Sequence, residues 1–246
     1  MRFWPVLLLA ITMMGQTMPA PVLVELFTSE GCSSCPPADL LLRRLQQEQP
    51  IPGAQVITLS EHVDYWNQLG WTDPFSSGAF TSRQQSYARA IRSTDVYTPQ
   101  MVVDGAAAFV GSDSRKAIEI LTAAAKAPKA AVALSCGVNP MSLAVRIDTM
   151  QGGDADVMLA VTENGLQSSV AAGENRGRLL PHTSVTRRLA TIGRMKKQQA
   201  FTAEPGVALE KSWKRENVSA VVFLQDRSTL RILGAAQIAM SSCGWH

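Results

Sequence analysis

The stretch that decides the fold is V-L-V-E-L-F-T-S-E-G-C-S-S-C-P-P, residues 22–37. Val22 to Phe27 is apolar apart from Glu25 and reads as a central, parallel strand. Thr28 to Gly31 reads as a turn. Two cysteines at C-x-x-C spacing follow, and a helical pattern starts at Pro36. In it Leu40, Leu41, Leu42 and Leu45 alternate with the polar group Arg43, Arg44, Gln46 and Gln47. The pattern predicts a helix ending near Glu48, before Pro50.

A strand that delivers C-x-x-C to the start of a helix is how thioredoxin-like proteins present a redox pair. Two sulfurs at this spacing can close a disulfide, and the reading leaves the first, Cys32, accessible. The same spacing also suits half a zinc site or a structural bridge. Pro36 and Pro37 place the first helical turn after Cys35, because proline lacks the N–H that would be unpaired there anyway. Ser34 or Cys35 then caps the helix, and Cys32 lies just outside it. The helix end favours a thiolate at Cys32 and predicts a lowered pKa, while nearby Glu30 works against this.

Working outward, Ala54 to Leu59 reads as a second strand. Ser60 to Ser93 is rich in aromatic and polar residues, with a helix over Phe80 to Arg92. Tyr65, Trp66, Trp71, Phe75 and Tyr87 read either as a groove or as packing of this insertion. Asp64, Asp73, Arg83 and Gln84 read as the polar ties that hold it. Thr98-Pro99 then precedes a short apolar strand, Asp104-Gly105 makes a tight turn, and Ala107 to Val110 is the returning strand. Ser112 and Asp113 cap a helix that runs to about Lys126. Thioredoxin-like proteins carry a cis-proline at the head of the third strand, facing the C-x-x-C, and that likeness puts it at Pro99, proline being almost the only residue that holds a cis bond cheaply. Thr98 would then offer its backbone to an extended partner. The plain alternative is a trans-proline at a strand start.

From Pro128 the pattern changes to short β runs: 131–136, 142–148, 156–163, 184–192, 198–202, 219–226 and 230–239. Alternation such as L-A-V-R-I-D, with Asn139-Pro140, Gly152-Gly153 and Asn164-Gly165 as turns, favours an all-β, sandwich-like unit. The fold class expected is α/β, with a thioredoxin-like domain over 21–127 and the β unit over 128–246. Ala172 to His182 (A-G-E-N-R-G-R-L-L-P-H) reads as a long polar connection. It either covers the redox site, binds a partner, or is an exposed loop without chemistry. A bridge between Cys136 and Cys243 is expected to tie down the chain's tail, with two free buried thiols as the rival.

The 246 residues carry a formal net charge of +3, which makes no case for nucleic acid. The basic run from Arg187 to Lys197 reads as a solvated strand face. Arg2, an apolar run from Val6 to Met14 and small or polar residues to Ala20 have the layout of a secretory signal over 1–20. The mature protein is then exported and periplasmic without a membrane span, or anchored if the segment is retained. Four cysteines in two pairs suit an oxidising compartment.

C-S-S-C-P-P, H-V-D-Y-W…G-W-x-D-P-F, Y-T-P-Q-M-V-V-D-G and G-E-N-R-G-R-L-L-P-H together resemble a family of uncharacterised secreted bacterial proteins with a thioredoxin-like domain. The resemblance implies a redox pair at Cys32 and Cys35 and a cis-proline at Pro99. The expected function is exported thiol–disulfide exchange on protein or small thiol partners, without a cofactor. Cys32 attacks and Cys35 resolves, while Thr98 and Pro99 bind the partner. Two other classes stay open. One handles copper or another soft metal through Cys32, Cys35 and His62. The other is a binding module in which the C-x-x-C is a structural bridge. Hydrolase signatures such as G-x-S-x-G and H-E-x-x-H are missing from the sequence, and oligomeric state is not legible.

Overall fold

The computed structural model describes residues 19–93, 95–139, 141–149 and 153–244. The expected leader lies outside them except for Pro19 and Ala20. The chain forms a mixed α/β fold made mostly of strands. β1 (Ala20–Thr28) and β2 (Ala54–His62) run parallel, in register from Ala20↔Ala54 to Thr28↔His62. Side chains on a strand alternate between faces, so Val22, Val24 and Leu26 point to one side. There they pack on Ala38, Leu41, Leu42 and Leu45 of α1 (Pro36–Glu48). Leu23 and Phe27 point to the other side, where Phe27 meets Tyr87 of α2 (Gly78–Ala90).

β3 (Gln100–Val103) lies antiparallel to β1, and β4 (Ala107–Val110) returns beside it. The expected turn between them forms with Asp104 at φ 50° and Gly105 at φ 62°. Glycine is required there because an added Cβ would run into the Leu230 carbonyl. Asp113 caps α3 (Ser114–Ala124) by accepting the Lys116 N–H at 2.9 Å.

The second half adds β5 (Val132–Cys136), β6 (Leu143–Ile147), β7 (Ala155–Glu163), β8 (Leu166–Ser169) and β9 (Leu179–His182). β10 (Val185–Met195), β11 (Phe201–Ala203), β12 (Val218–Asp226) and β13 (Ile232–Ala239) follow. β8 and β9 do not appear in the sequence reading. They form a separate two-stranded sheet inside and beside the polar 172–182 connection.

The halves meet edge to edge. One eight-stranded sheet has the order β13-β12-β7-β10-β2-β1-β3-β4, so the change of pattern at Pro128 is not a break in the sheet. The joint is the parallel pairing of β10 with β2 at Val185↔Ser60. The sheet rolls until its far edge meets the first half again, where the Ile232 N–H donates to the Asp104 carbonyl at 2.8 Å. Leu23, Ile57 and Leu59 share that interior with Val221, Phe223 and Ile232. The second layer of the C-terminal half is the small sheet β11-β6-β5, whose Leu143, Val145 and Ile147 pack on Val157, Leu159, Val218 and Val222.

A buried polar knot crosses the same interior. Arg83 Nε donates to Glu25 Oε1 at 2.6 Å and Arg83 Nη1 to Gln225 Oε1 at 2.9 Å. Tyr87 donates to Glu25 Oε2 at 2.5 Å and accepts from Gln225 Nε2 at 2.8 Å. Burial and the neighbouring Glu25 push the Glu61 carboxyl well above its ordinary value. Arg83 and Glu25 are paired, as burial demands, while Glu61 lies 3.5 Å from Arg83 Nε with no hydrogen-bond partner for either oxygen among the described residues.

Cys136 and Cys243 are bonded, across a sequence separation of 107. Loop-closure entropy for a loop of that length is worth about 5 kcal/mol. Replacing both cysteines by serine is expected to lower the unfolding free energy, measured by urea titration, by that order. A loss under about 1 kcal/mol would show that the tail is held by packing alone.

Candidate functional site

The Cys32–Cys35 pair is bonded, with Cα atoms 5.4 Å apart. β1 ends at Thr28, and the turn after it brings the Cys32 N–H to the Ser29 carbonyl at 3.2 Å. Cys35 is the N-cap of α1, with prolines in the first turn and no side-chain cap. Its carbonyl accepts the N–H groups of Ala38 (2.8 Å) and Asp39 (3.1 Å). Cys32 lies outside the helix, as the double proline dictates.

Both cysteines are 0% exposed, while Ser33 and Ser34 between them are exposed. This corrects the expectation that Cys32 is accessible. The 172–182 connection lies against the backbone of the motif. Asn175, itself fully buried, donates through Nδ2 to the carbonyls of Glu30 (2.8 Å) and Cys32 (2.9 Å). Its Oδ1 accepts from Arg178 Nη1 at 2.9 Å, so both ends of the amide are fixed. The Ser33 N–H donates to Glu174 Oε2 at 3.0 Å. The connection is therefore part of the site and not a free loop.

Behind the turn sits a buried acid–imidazole cluster. His62, the last residue of β2, shares a 2.7 Å hydrogen bond through Nδ1 with Asp73 Oδ2, which also accepts the Glu30 N–H at 2.8 Å. His182, the last residue of β9, shares a 2.9 Å bond through Nε2 with Glu30 Oε1. Trp71 Nε1 donates to Glu30 Oε2 at 2.7 Å. Glu30 is thus committed to two neighbours through its two oxygens. The two imidazole rings lie 5.0 Å apart edge to face, and Phe75 meets both.

Burial disfavours a charged His62, but Asp73 overrides it and raises the imidazole pKa. Burial likewise works against an ionised Asp73, and His62 with two backbone N–H groups holds its carboxyl below the ordinary value. Asp39, one turn after Cys35, faces this cluster and the Thr28 hydroxyl. Burial pushes its carboxyl up, and the histidines offset that only in part.

The residues singled out from sequence fall as follows. The Thr98–Pro99 peptide is cis and stands directly before β3, while Trp66 Nε1 donates to Thr98 Oγ1 at 2.8 Å. Pro99 reaches the motif's neighbourhood at Gly111, where an added Cβ would lie 3.2 Å from both Pro99 Cβ and Ala38 Cβ. His62 is bound to Asp73 and makes no hydrogen bond to either sulfur. Among the described residues no group of three or more His, Cys, Asp or Glu side chains is placed to hold a metal ion. Sequence reasoning named covering the redox site as one role of the 172–182 connection without singling out His182, Asn175 or Glu174, and it missed Asp39. The only signal for the first three was the density of Asn, Arg, Glu and His in a connection too long for a simple turn.

Asp39 supplies a test of the cluster's electrostatics. Its folded pKa lies above the ordinary 3.8, so folding binds a proton. Stability then falls as pH rises from about 3.8 through the raised pKa, and the cost persists above it. Asp39→Asn keeps the shape without the charge. It is expected to raise the urea midpoint at pH 8 and leave it unchanged at pH 3. An equal change at both pH values would remove the electrostatic explanation.

The comparisons with known proteins agree with this architecture. A solved crystal structure of a protein from Agrobacterium tumefaciens is similar at 29% identity, with a TM-score of 0.73 over 89% of this chain and 94% of that one. A domain of the outer membrane lipoprotein Omp28 from Porphyromonas gingivalis matches over 45% of this chain at 11% identity, and its TM-score of 0.27 is too low to bear on the fold. No match was found among curated proteins. The family model described as "Protein of unknown function (DUF1223)" matches residues 23–225, and on that span the chain belongs to the DUF1223 family.

Proposed function

We propose that the protein is an exported thiol–disulfide oxidoreductase with a thioredoxin-like first half, residues 21–127, and a β unit over 128–246. The observation that carries this reading is the bonded Cys32–Cys35 pair between the end of β1 and the first turn of α1. The strand order β2-β1-β3-β4, with β1 parallel to β2 and antiparallel to β3, supports it. So does Thr98, whose backbone makes no hydrogen bond among the described residues. It stands where an extended partner would pair. Two disulfides in one chain suit an exported protein. No described helix is long and apolar enough to cross a membrane.

In the oxidising direction, a partner thiolate attacks Cys32 Sγ. The Cys32–Cys35 bond breaks, and Cys35 leaves as a thiolate that takes up a proton. A second partner thiolate then attacks the partner sulfur of the mixed disulfide. The partner leaves as a disulfide and the protein as a dithiol. The reverse direction starts from the Cys32 thiolate and a partner disulfide, and Cys35 closes the bond.

A second reading is a structural bridge, and the complete burial of both sulfurs favours it. Equilibration against glutathione buffers separates the two. The redox reading expects a reduction potential above about −300 mV, the range below which structural disulfides lie. It also expects Cys35→Ser to accumulate a mixed disulfide at Cys32 with glutathione, and Cys32→Ser to accumulate none. A potential below that range, together with no trapped adduct, would establish the structural bridge.

A further inference from the structure

The oxidoreductase reading leaves one feature unexplained: a redox disulfide with neither sulfur at the surface. We propose that residues 173–178 are an autoinhibitory latch over the Cys32–Cys35 disulfide, anchored by Asn175 and closed by Glu174. The proposal rests on the oxidoreductase reading and assigns the control of access to the same site.

The latch is built as a unit. Within it the Arg176 N–H donates to the Gly173 carbonyl at 3.2 Å and the Arg178 N–H to the Asn175 carbonyl at 3.1 Å. Its C-terminal end is joined to Val170, which receives the Gly177 N–H at 2.8 Å and donates to the Arg178 carbonyl at 3.0 Å. Its stem is the β8–β9 pair, a sheet of two strands outside the large one. β9 is held down by Leu180 and His182, both buried, so the segment left to open is the loop 173–178 at the tip of the pair.

Its contacts with the motif are few and specific. Asn175 Nδ2 bridges the Glu30 and Cys32 carbonyls, and Glu174 takes the Ser33 N–H. The Glu174 side chain is exposed, and its hydrogen bonds from Ser33 hold its carboxyl below the ordinary value. It is therefore an anion at neutral pH, bound to the amide next to Cys32. The disulfide carries no charge and tolerates that anion. A Cys32 thiolate is a second anion, on the residue next to Ser33, and the two like charges repel. The latch consequently closes better on the disulfide than on the dithiol. By linkage, closure favours the disulfide to the same extent.

The test follows reduction of the oxidised protein by reduced glutathione at pH 7. One glutathione thiolate attacks Cys32 Sγ, Cys35 leaves as a thiolate, and a second glutathione resolves the adduct to oxidised glutathione and dithiol. Glu174→Gln sits at an exposed position and keeps the fold, while Asn175→Ala removes the anchor. Each is expected to speed the first attack about tenfold. Glu174→Gln is also expected to shift the equilibrium toward the dithiol and to make alkylation of reduced Cys32 at pH 6 faster. Wild-type reduction as fast as in both variants would overturn the latch and leave the oxidoreductase reading intact. A disulfide inert to glutathione in all three folded proteins would overturn both.

Discussion

The site depends on one junction, the pairing of β2 with β10 at Ser184. The Ser60 N–H donates to the Ser184 carbonyl at 2.8 Å, and the Thr58 and Ser184 hydroxyls share a 2.8 Å hydrogen bond. The Ser184 N–H in turn donates to Asn164 Oδ1 at 2.8 Å. Ser184 adopts φ 51°, a left-handed conformation that turns the chain between β9 and β10. Two residues earlier the same turn sets His182 against Glu30, and the β9 strand leads back to the loop that holds Asn175. This strand contact thus sets the register in which the 164–184 segment of the second half meets the C-x-x-C.

Because of that junction the site is composite. Glu30, His62, Asp73 and the cysteines come from the first half, and Asn175, Glu174 and His182 from the second. Each buried imidazole is held by its own carboxylate. Phe75 and Trp71, from the insertion, close the cluster from the third side. The aromatic residues of the insertion split accordingly. Tyr87 is core, Tyr65 is partly exposed, and Trp66, Trp71 and Phe75 serve the site.

What was legible in the sequence was local. The parallel strand from Val22, the helix from Pro36, the Asp104-Gly105 turn and the Asp113 cap are each specified by residues a few positions apart. The bridge between Cys136 and Cys243 followed from the cysteine count and the expected compartment. What was not legible was long-range. Alternation in V-M-L-A-V-T-E identifies a strand with faces to bury, but not which sheet it joins, so the edge-to-edge joining of the two halves in one sheet is not legible. β2 was read to Leu59, whereas it continues through Ser60, Glu61 and His62. Ser60 is covered by β10, Glu61 faces Arg83, and His62 is enclosed by Asp73, Phe75 and His182, and most of these partners are far from them in sequence. Asn175 and His182 were hidden for the same reason, since a polar residue in a long connection looks solvated until the surface it meets is known.

The double proline after Cys35 appeared to weaken the redox reading by moving Cys32 off the helix end. The geometry shifts the weight elsewhere. Cys35 caps the helix, and Cys32 sits one turn outside with its carbonyl bound by Asn175. Glu30, the acid that was expected to oppose a thiolate, has both oxygens drawn away to Trp71 and His182. The carboxylate that meets the motif directly is Glu174, from the other half of the chain, through the Ser33 N–H. Negative charge at the motif is thus delivered by an exposed side chain on a peripheral hairpin and not by a residue fixed in the turn. A fixed acid would oppose the thiolate permanently, whereas one carried on the loop opposes it only while the loop is closed.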